Sequence, residues 1–324
     1  MEKRIYTGKD ADTREEVTVV IPVFNREDIV VETLESVKAQ TYRPLRLILV
    51  DNNSTDGTLS AVEAWKAANE DEGFRVKVVV ETKPGAAAAR NRGLEETRTD
   101  KLMFFDSDDL MKPGMIELGM EEYRKNPDLM LAYWRHERED IDGKRGKSHF
   151  TTGDKLECHL VHSMLNTASY LAKREYVSKA GGWNEDLRVW DDYELGARLL
   201  LMTPESKGID RCLYVVKSRA ESITGTEFSS RAGEWEDVLD KIMSGIKASS
   251  HPDRERYMRI VDYRRIILAA HYAKEGSLEL ARNLKRDTLR RCRMSALQKL
   301  LLRFVYDYTR RGGRGAWMFS RWFL

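Results

Sequence analysis

Residues 101–110 read KLMFFDSDDL. An apolar run, Leu102 to Phe105, ends in three carboxylates within four positions: Asp106, Asp108 and Asp109. A short apolar run bounded by polar residues reads as a buried strand. Its acidic end calls for a counter-charge or for hydroxyls, because bare carboxylates repel one another.

The same pattern repeats upstream. EVTVVIPVF (16–24), LRLILV (45–50) and FRVKVVVET (74–82) are short and rich in β-branched residues, as buried strands are. Between them lie REDIVVETLESVKAQ (26–40), with Ile29, Val30, Thr33, Leu34 and Val37 at helical spacing, and TLSAVEAWKAAN (58–69), with Asp56 or Ser54 as its expected N-cap. The Ala-rich GAAAARNRGLEET (85–97) precedes the fourth strand. Strands alternating with helices imply an α/β fold, a mostly parallel sheet with helices on both faces. In such sheets ligands bind beyond the carboxyl ends of the strands. Each of the four strands ends in a polar cluster: Phe24-Asn25, Asp51-Asn52-Asn53, Lys83-Pro84-Gly85 and Asp106 to Asp109. Four such clusters on one sheet edge make a site.

Further along, 113–127 reads as a helix, 129–137 as a strand, 139–155 as a loop or hairpin, 166–174 as a strand and 181–192 as a loop. A helix follows over 192–202. Beyond about Gly233 the pattern is helical to the end, broken at SSHP, KEGS and RRGGRG. We therefore expect a domain over 1–230, with halves at about 16–110 and 111–230, and a helical extension over 231–324.

Charge divides the chain. From His251 to Leu324 there are 18 Lys and Arg against 7 Asp and Glu; the remainder carries 37 against 46. A basic C-terminal segment on an acidic body implies an anionic partner for that segment alone. Cys158, Cys212 and Cys292 are widely spaced and odd in number, so no disulfide framework is expected. Neither an apolar signal segment nor a membrane-spanning run is evident. A cytoplasmic protein is expected, with peripheral binding to the inner face of the membrane as the alternative.

Asp106-x-Asp108 at a strand end can hold Mg²⁺ or Mn²⁺ while leaving positions for phosphate oxygens, although Asp also caps helices and ends strands. Asp51 at a strand end suits a base or ribose, or else an Asx-turn within DNNSTDGT. Arg90 suits a diphosphate or base edge, or else is solvated beside a Gly93 cap. Cys158, His159 and His162 in ECHLVHS lack a further ligand at zinc spacing, and the histidines are expected on a helix face or lining the acceptor side. Trp183 and Trp190 flank the acidic loop and would either stack on a sugar or pack.

Together VTVVIPVFN, ILVDNNSTDGT, GAAAARNRG, FFDSDD and GGWNEDLRVWDDYEL resemble, in order, the motifs of family 2 glycosyltransferases with the Rossmann-like GT-A fold. The resemblance covers about residues 16–226. It implies an inverting transfer from a nucleotide-sugar, a UDP-sugar by family frequency, to a glycan or lipid-linked hydroxyl in surface polysaccharide or glycolipid synthesis. It also implies that Pro22, Val23, Phe24, Asn25, Asp51, Asn53, Gly85, Arg90, Asp106 and Ser107 line the nucleotide and that Asp108 holds the metal (the DxD motif). Asp192 would be the catalytic base, with Asp191 as runner-up; the other reading of this pair is a cap on the following helix. Many relatives carry a histidine some 25 residues or more past the acidic pair. This chain has none there, and Lys217 or Arg219 is expected to face the diphosphate instead.

Two other functions were weighed. A nucleotidyltransferase would be expected to show a Gly-rich loop after the first strand, and VFNREDIV has none. A silent nucleotide-sugar-binding module is opposed by the intact Asp106, Asp108 and Asp192. The tail, LARNLKRDTLRRCRMSALQKLLLRFVYDY followed by TRRGGRGAWMFSRWFL, is basic, amphipathic and aromatic. It fits an anionic membrane surface, docking on the catalytic core or a homodimer contact; no nucleic acid is expected.

Overall fold

A computed structural model describes residues 15–218 and 227–323. The described chain divides into two units, each discontinuous in sequence.

The first unit comprises 15–150, 165–185 and 204–218. Its elements are β1 (Val17–Val23), α1 (Val30–Lys38), β2 (Leu45–Asp51), α2 (Thr58–Asn69), β3 (Phe74–Val80), α3 (Ala86–Glu96) and β4 (Lys101–Phe104). After these come β5 (Leu110–Met111), α4 (Met115–Lys125), β6 (Leu131–Glu139) and β7 (Arg145–Lys147). The unit also holds β8 (Tyr170–Lys173), α6 (Arg174–Lys179) and β9 (Ser206–Lys217); α5 and α7 fall in the second unit. The strands form one mixed sheet in the order β3-β2-β1-β4-β8-β6-β9-β5, with β7 on β6. β1 to β4 pair in parallel, and β8 is antiparallel to both β4 and β6.

Alternation along β1 explains the layering. Val17, Val19, Ile21 and Val23 share one core with Val30, Leu34 and Val37 of α1 and with Trp65 of α2. Val20 points to the opposite face, toward α3. There a Cβ on Gly93 would come within 2.2 Å of Val20 Cγ1. Gly93 is thus the close-approach point of α3 on β1, inside the helix rather than at its cap. The second helix begins after Gly57; Asp56 Oδ1 accepts from Thr58 N at 3.0 Å, whereas Ser54 serves the β1 turn. β9 joins the sheet beside β6 with a register shift near Arg135, a strand absent from the sequence-based expectation.

The second unit comprises 151–164, 186–203 and 227–323. It is built from α5 (Lys155–His162), α7 (Asp191–Leu201), α8 (Ala232–Ala248), α9 (Arg254–Lys274), α10 (Leu278–Arg291) and α11 (Ala296–Arg310), with 3-10 turns at Phe228–Arg231 and Ala316–Phe323. α9 buries residues around its whole circumference, including Tyr257, Ile260, Val261, Tyr263, Ile266 and Ala270, as a central helix must. α5, α8, α10 and α11 all pack on it. The division therefore differs from a single cut at residue 230: two earlier segments, one carrying Asp191 and Asp192, belong to the helical unit. No helix among the described residues is long and apolar enough to cross a membrane.

Candidate active site

The chain runs β1, β2, β3 toward one edge and then returns to place β4 on the other side of β1. That reversal opens a crevice at the carboxyl ends of β1 and β4. Pro22 and Val23 finish β1, and Phe24 follows with 53% of its surface exposed. Asn25 adopts φ 50°; its N–H donates to Ser54 Oγ (3.0 Å), and its Oδ1 accepts from Thr55 N (2.9 Å). The turns after β1 and β2 are thereby laced together.

Asp51, the last residue of β2, is buried. Its Oδ2 accepts from Ser54 N at 3.1 Å, so the Asx-turn reading is met by one oxygen. Oδ1 is buried with no hydrogen-bond partner among the described residues. An unmatched buried acceptor is costly and is characteristic of a group that meets a ligand. Asn52 ties in the third strand end: its Nδ2 donates to Glu81 O and Lys83 O, and its Oδ1 accepts from Gly85 N at 2.7 Å. Gly85 at φ 126° and Asn53 at φ 62° shape the turns around it.

The carboxylates of residues 106–109 separate into distinct roles. Asp106 Oδ1 accepts from Arg90 at 2.8 Å. Arg90 is buried, not solvated, and its guanidinium lies 4.4 Å from the Trp183 ring centre. Trp183 in turn packs edge-on against Phe104. Asn91 donates to Trp183 O and accepts from Trp183 N, which fixes the indole. Trp183 is only 2% exposed, so its expected role as a sugar platform is corrected: its contacts with Arg90 and Phe104 are those of packing. Ser107 is buried and Asp108 partly so. Asp109 is buried, its Oδ1 accepting from Lys217 N at 3.3 Å. Burial, then the charges of Asp106 and Asp108, push its carboxyl well above the usual range. The Lys217 ammonium is engaged by Glu32 at 2.5 Å. Arg219 lies outside the described residues.

In the helical unit Asp191 and Asp192 open α7. Trp190, at φ 48°, occupies the cap position without a side-chain cap bond, so neither aspartate is the N-cap. Asp192 Oδ1 accepts from Tyr193 N at 2.7 Å. Tyr193 is a strut: its hydroxyl donates to Leu160 O (2.7 Å), and its carbonyl lies 2.8 Å from His159 Nε2. Burial pushes His159 down to about 4, so its ring is neutral and Nε2 carries the hydrogen. Trp190, partly buried, packs edge-on against Tyr193 and Trp235, and Arg264 lies over both Trp190 and Tyr193. The sequence reading missed Asn91 and Arg264, and it named Asn52 and Asp109 only as members of strand-end clusters. His159 was read as lying on a helix face or lining the acceptor side.

Among the described residues no three of His, Cys, Asp and Glu gather as a metal cage. Asp106 is turned to Arg90, and Asp108, partly buried at the same turn, has the oxygen chemistry of a hard-cation ligand. A site with one protein carboxylate fits an ion that takes its other ligands from a diphosphate.

A mixed sheet with this switch point, aspartates at its strand ends and a helical C-terminal region has the plan of a GT-A glycosyltransferase. The chain belongs to glycosyl transferase family 2, whose model matches residues 18–179, half of its length. It is 29% identical over 248 residues to the glycosyltransferase GlyG of Streptococcus pneumoniae serotype 4 (strain ATCC BAA-334 / TIGR4), covering 70% of this chain and 79% of GlyG. Among solved structures it is similar to S. aureus TarS 1–349 in complex with UDP-GlcNAc, with TM-score 0.73 and 16% identity over 94% of this chain and 90% of that one. It is also similar to the mannosyltransferase PcManGT from Pyrobaculum calidifontis in complex with GDP-Man and Mn2+, with TM-score 0.59 and 18% identity, covering 95% and 86% of the two chains. As a family member the chain is a glycosyltransferase.

Proposed function

We propose that the enzyme takes a sugar from a uridine-diphosphate donor and transfers it, with inversion, to a hydroxyl of a glycan or lipid-linked glycan in surface polysaccharide or glycolipid synthesis. The buried, unmatched Asp51 Oδ1 carries the choice of donor. It requires a hydrogen-bond donor, and the imide N–H of uracil supplies one at the base edge. The exposed Phe24 offers a ring for the base, with Pro22, Val23, Asn25, Asn53 and Gly85 around it. The UDP-GlcNAc complex of TarS agrees with a uracil base; the GDP-Man complex of PcManGT marks guanine, whose N1–H could also reach a carboxylate, as the second reading.

Asp106, held by Arg90, faces the ribose, with Ser107 beside it. Asp108 would hold Mn²⁺ or Mg²⁺, which when bound neutralises the charge that develops on the diphosphate. Asp192 accepts the proton of the acceptor hydroxyl. The freed oxygen attacks the anomeric carbon, the bond from that carbon to the diphosphate oxygen breaks, and the nucleoside diphosphate leaves with its electron pair. Trp190 borders the acceptor, and Arg219 is assigned to the leaving group.

The test is donor turnover by Asp192→Asn. Loss of a general base lowers kcat by roughly 10²–10⁴-fold. Donor affinity should be unchanged. A variant that retains full turnover would overturn the assignment and move it to Asp191.

A further inference from the structure

The surface of the helical unit carries a feature that sugar transfer does not use. Arg282, Lys285, Arg286 and Arg290 of α10, together with Arg303 of α11, line a groove of about 450 Å³. No carboxylate lines it. Asp287 pairs with Arg286 and Arg290 at 3.7 and 3.6 Å. Lys285 sits over the Tyr306 ring at 3.9 Å. Burial, and then the neighbouring Arg310 and Arg303, hold its ammonium below the ordinary range despite Asp307. Among the described residues these five cations share few carboxylates, Asp287 and Asp307.

An apolar surface adjoins the groove. Leu297, Leu300 and Phe304 follow helical spacing on α11, and Arg303, three residues past Leu300, shares that stripe. Phe304 is packed with Tyr308, Phe319 and Trp322 in one aromatic cluster. Leu297, Leu300, Phe304 and Trp322 remain 42–66% exposed. A contiguous apolar surface of this kind marks an interaction site.

We propose that the outer faces of α10 and α11, with the C-terminal turn, dock the enzyme on an anionic lipid bilayer. Lipid phosphates enter the arginine groove, and the leucine and aromatic side chains enter the acyl boundary. Charge complementarity decides between occupants. A second copy of this chain, packed through the same face, would bring the surplus of cations against itself. Phe304 and Trp322 could stack on nucleic-acid bases, but Leu297 and Leu300, more exposed than either ring, suit an acyl boundary and not a polar nucleic-acid backbone. An anionic bilayer meets both halves of the surface. The inference deepens the proposed function by naming where the transferase works, yet vesicle binding needs no donor and so is tested separately.

The experiment is co-sedimentation of the full chain with phosphatidylcholine vesicles, with and without phosphatidylglycerol, at low and high salt. Three proteins are compared: wild type, Arg282→Glu/Arg286→Glu and Leu300→Ser/Phe304→Ser, all with melting temperatures checked. Each basic residue near an anionic surface is worth roughly fivefold in partition, so reversing two should lower it by more than about tenfold. The apolar pair should also lose binding, and salt should weaken the wild type. Equal binding to both vesicle types by the wild type, or undiminished binding by both variants, overturns the proposal. So does a wild-type dimer that the variants dissociate without any vesicle binding. Nucleotide affinity in bulk solution should match across the three proteins, which keeps a failure here apart from a failure of the donor site.

Discussion

Removing Arg90 tests the scaffold of the donor site. Its buried guanidinium bonds Asp106 at 2.8 Å and lies 4.4 Å from the centre of Trp183. A hydrogen bond to a charged group contributes about 1.5–3 kcal/mol. A desolvated guanidinium–indole contact adds about 0.5–2 kcal/mol. Asp106 keeps 33% side-chain exposure, so water can replace part of what it loses. The lower part of the range therefore applies, and Arg90→Ala should cost about 2–3 kcal/mol. For a chain of 324 residues that corresponds to a fall in melting temperature of roughly 3–5 °C. Urea denaturation of Arg90→Ala, Asp106→Ala and the double variant isolates the pair. The two should couple by about 1–2 kcal/mol. Arg90→Lys should recover little, because an ammonium offers neither the planar fork nor the stacking face. Additivity within about 0.3 kcal/mol would refute the pairing.

Three further outcomes follow. Gly93→Ala places a methyl 2.2 Å from Val20 Cγ1 and should destabilise by about 1–3 kcal/mol in urea titrations, with partial recovery in Gly93→Ala/Val20→Ala. His159 is held neutral in the fold at about 4 against an ordinary 6.5, so its contribution to stability is present above pH 6.5 and lost as pH falls toward 4. That loss approaches about 3 kcal/mol, and His159→Asn should flatten the stability–pH curve in this window; an unchanged slope would contradict a buried neutral ring. Chelation by EDTA should weaken nucleotide binding in the wild type and add nothing in Asp108→Ala, as read by calorimetric titration; an equal EDTA effect in the variant would remove Asp108 as the metal ligand.

The legible part of the fold was the part whose pattern is local. β1, β2 and β4 are buried on both faces and appear as near-continuous apolar runs, interrupted only by single polar residues such as Thr18 and Arg46. β9 is half-exposed over Ser206–Arg211 and bulged against β6, so its period is blurred. The membership of α5 and α7 in the helical unit depends on packing against α8 and α9, far along the chain, which no local pattern records. Within the candidate site the same distinction holds. Asp51 and Asp106 stand out as acids at strand ends, but Asp106, Asp108 and Asp109 look equivalent until the turn after β4 buries Asp109. Arg90 reads equally well as a ligand contact or a solvated side chain, and Trp183 as a sugar platform or packing. Only their mutual stacking, 93 residues apart in sequence, distinguishes them.

The most direct measurement is the thermal shift with UDP, GDP and CDP, each with and without Mn²⁺, on the wild type and on Asp51→Ala. Ligand at 100 times its dissociation constant adds about 2.7 kcal/mol, a shift of several degrees. The Asp51 oxygen is assigned to the N3–H of uracil; cytosine has an unprotonated ring nitrogen at that position and offers only its exocyclic N4–H beside it. UDP with Mn²⁺ should therefore stabilise the wild type more than CDP does, and the difference should vanish in Asp51→Ala. Equal shifts with UDP and CDP, or an undiminished UDP shift in the variant, would contradict a donor site built on that oxygen.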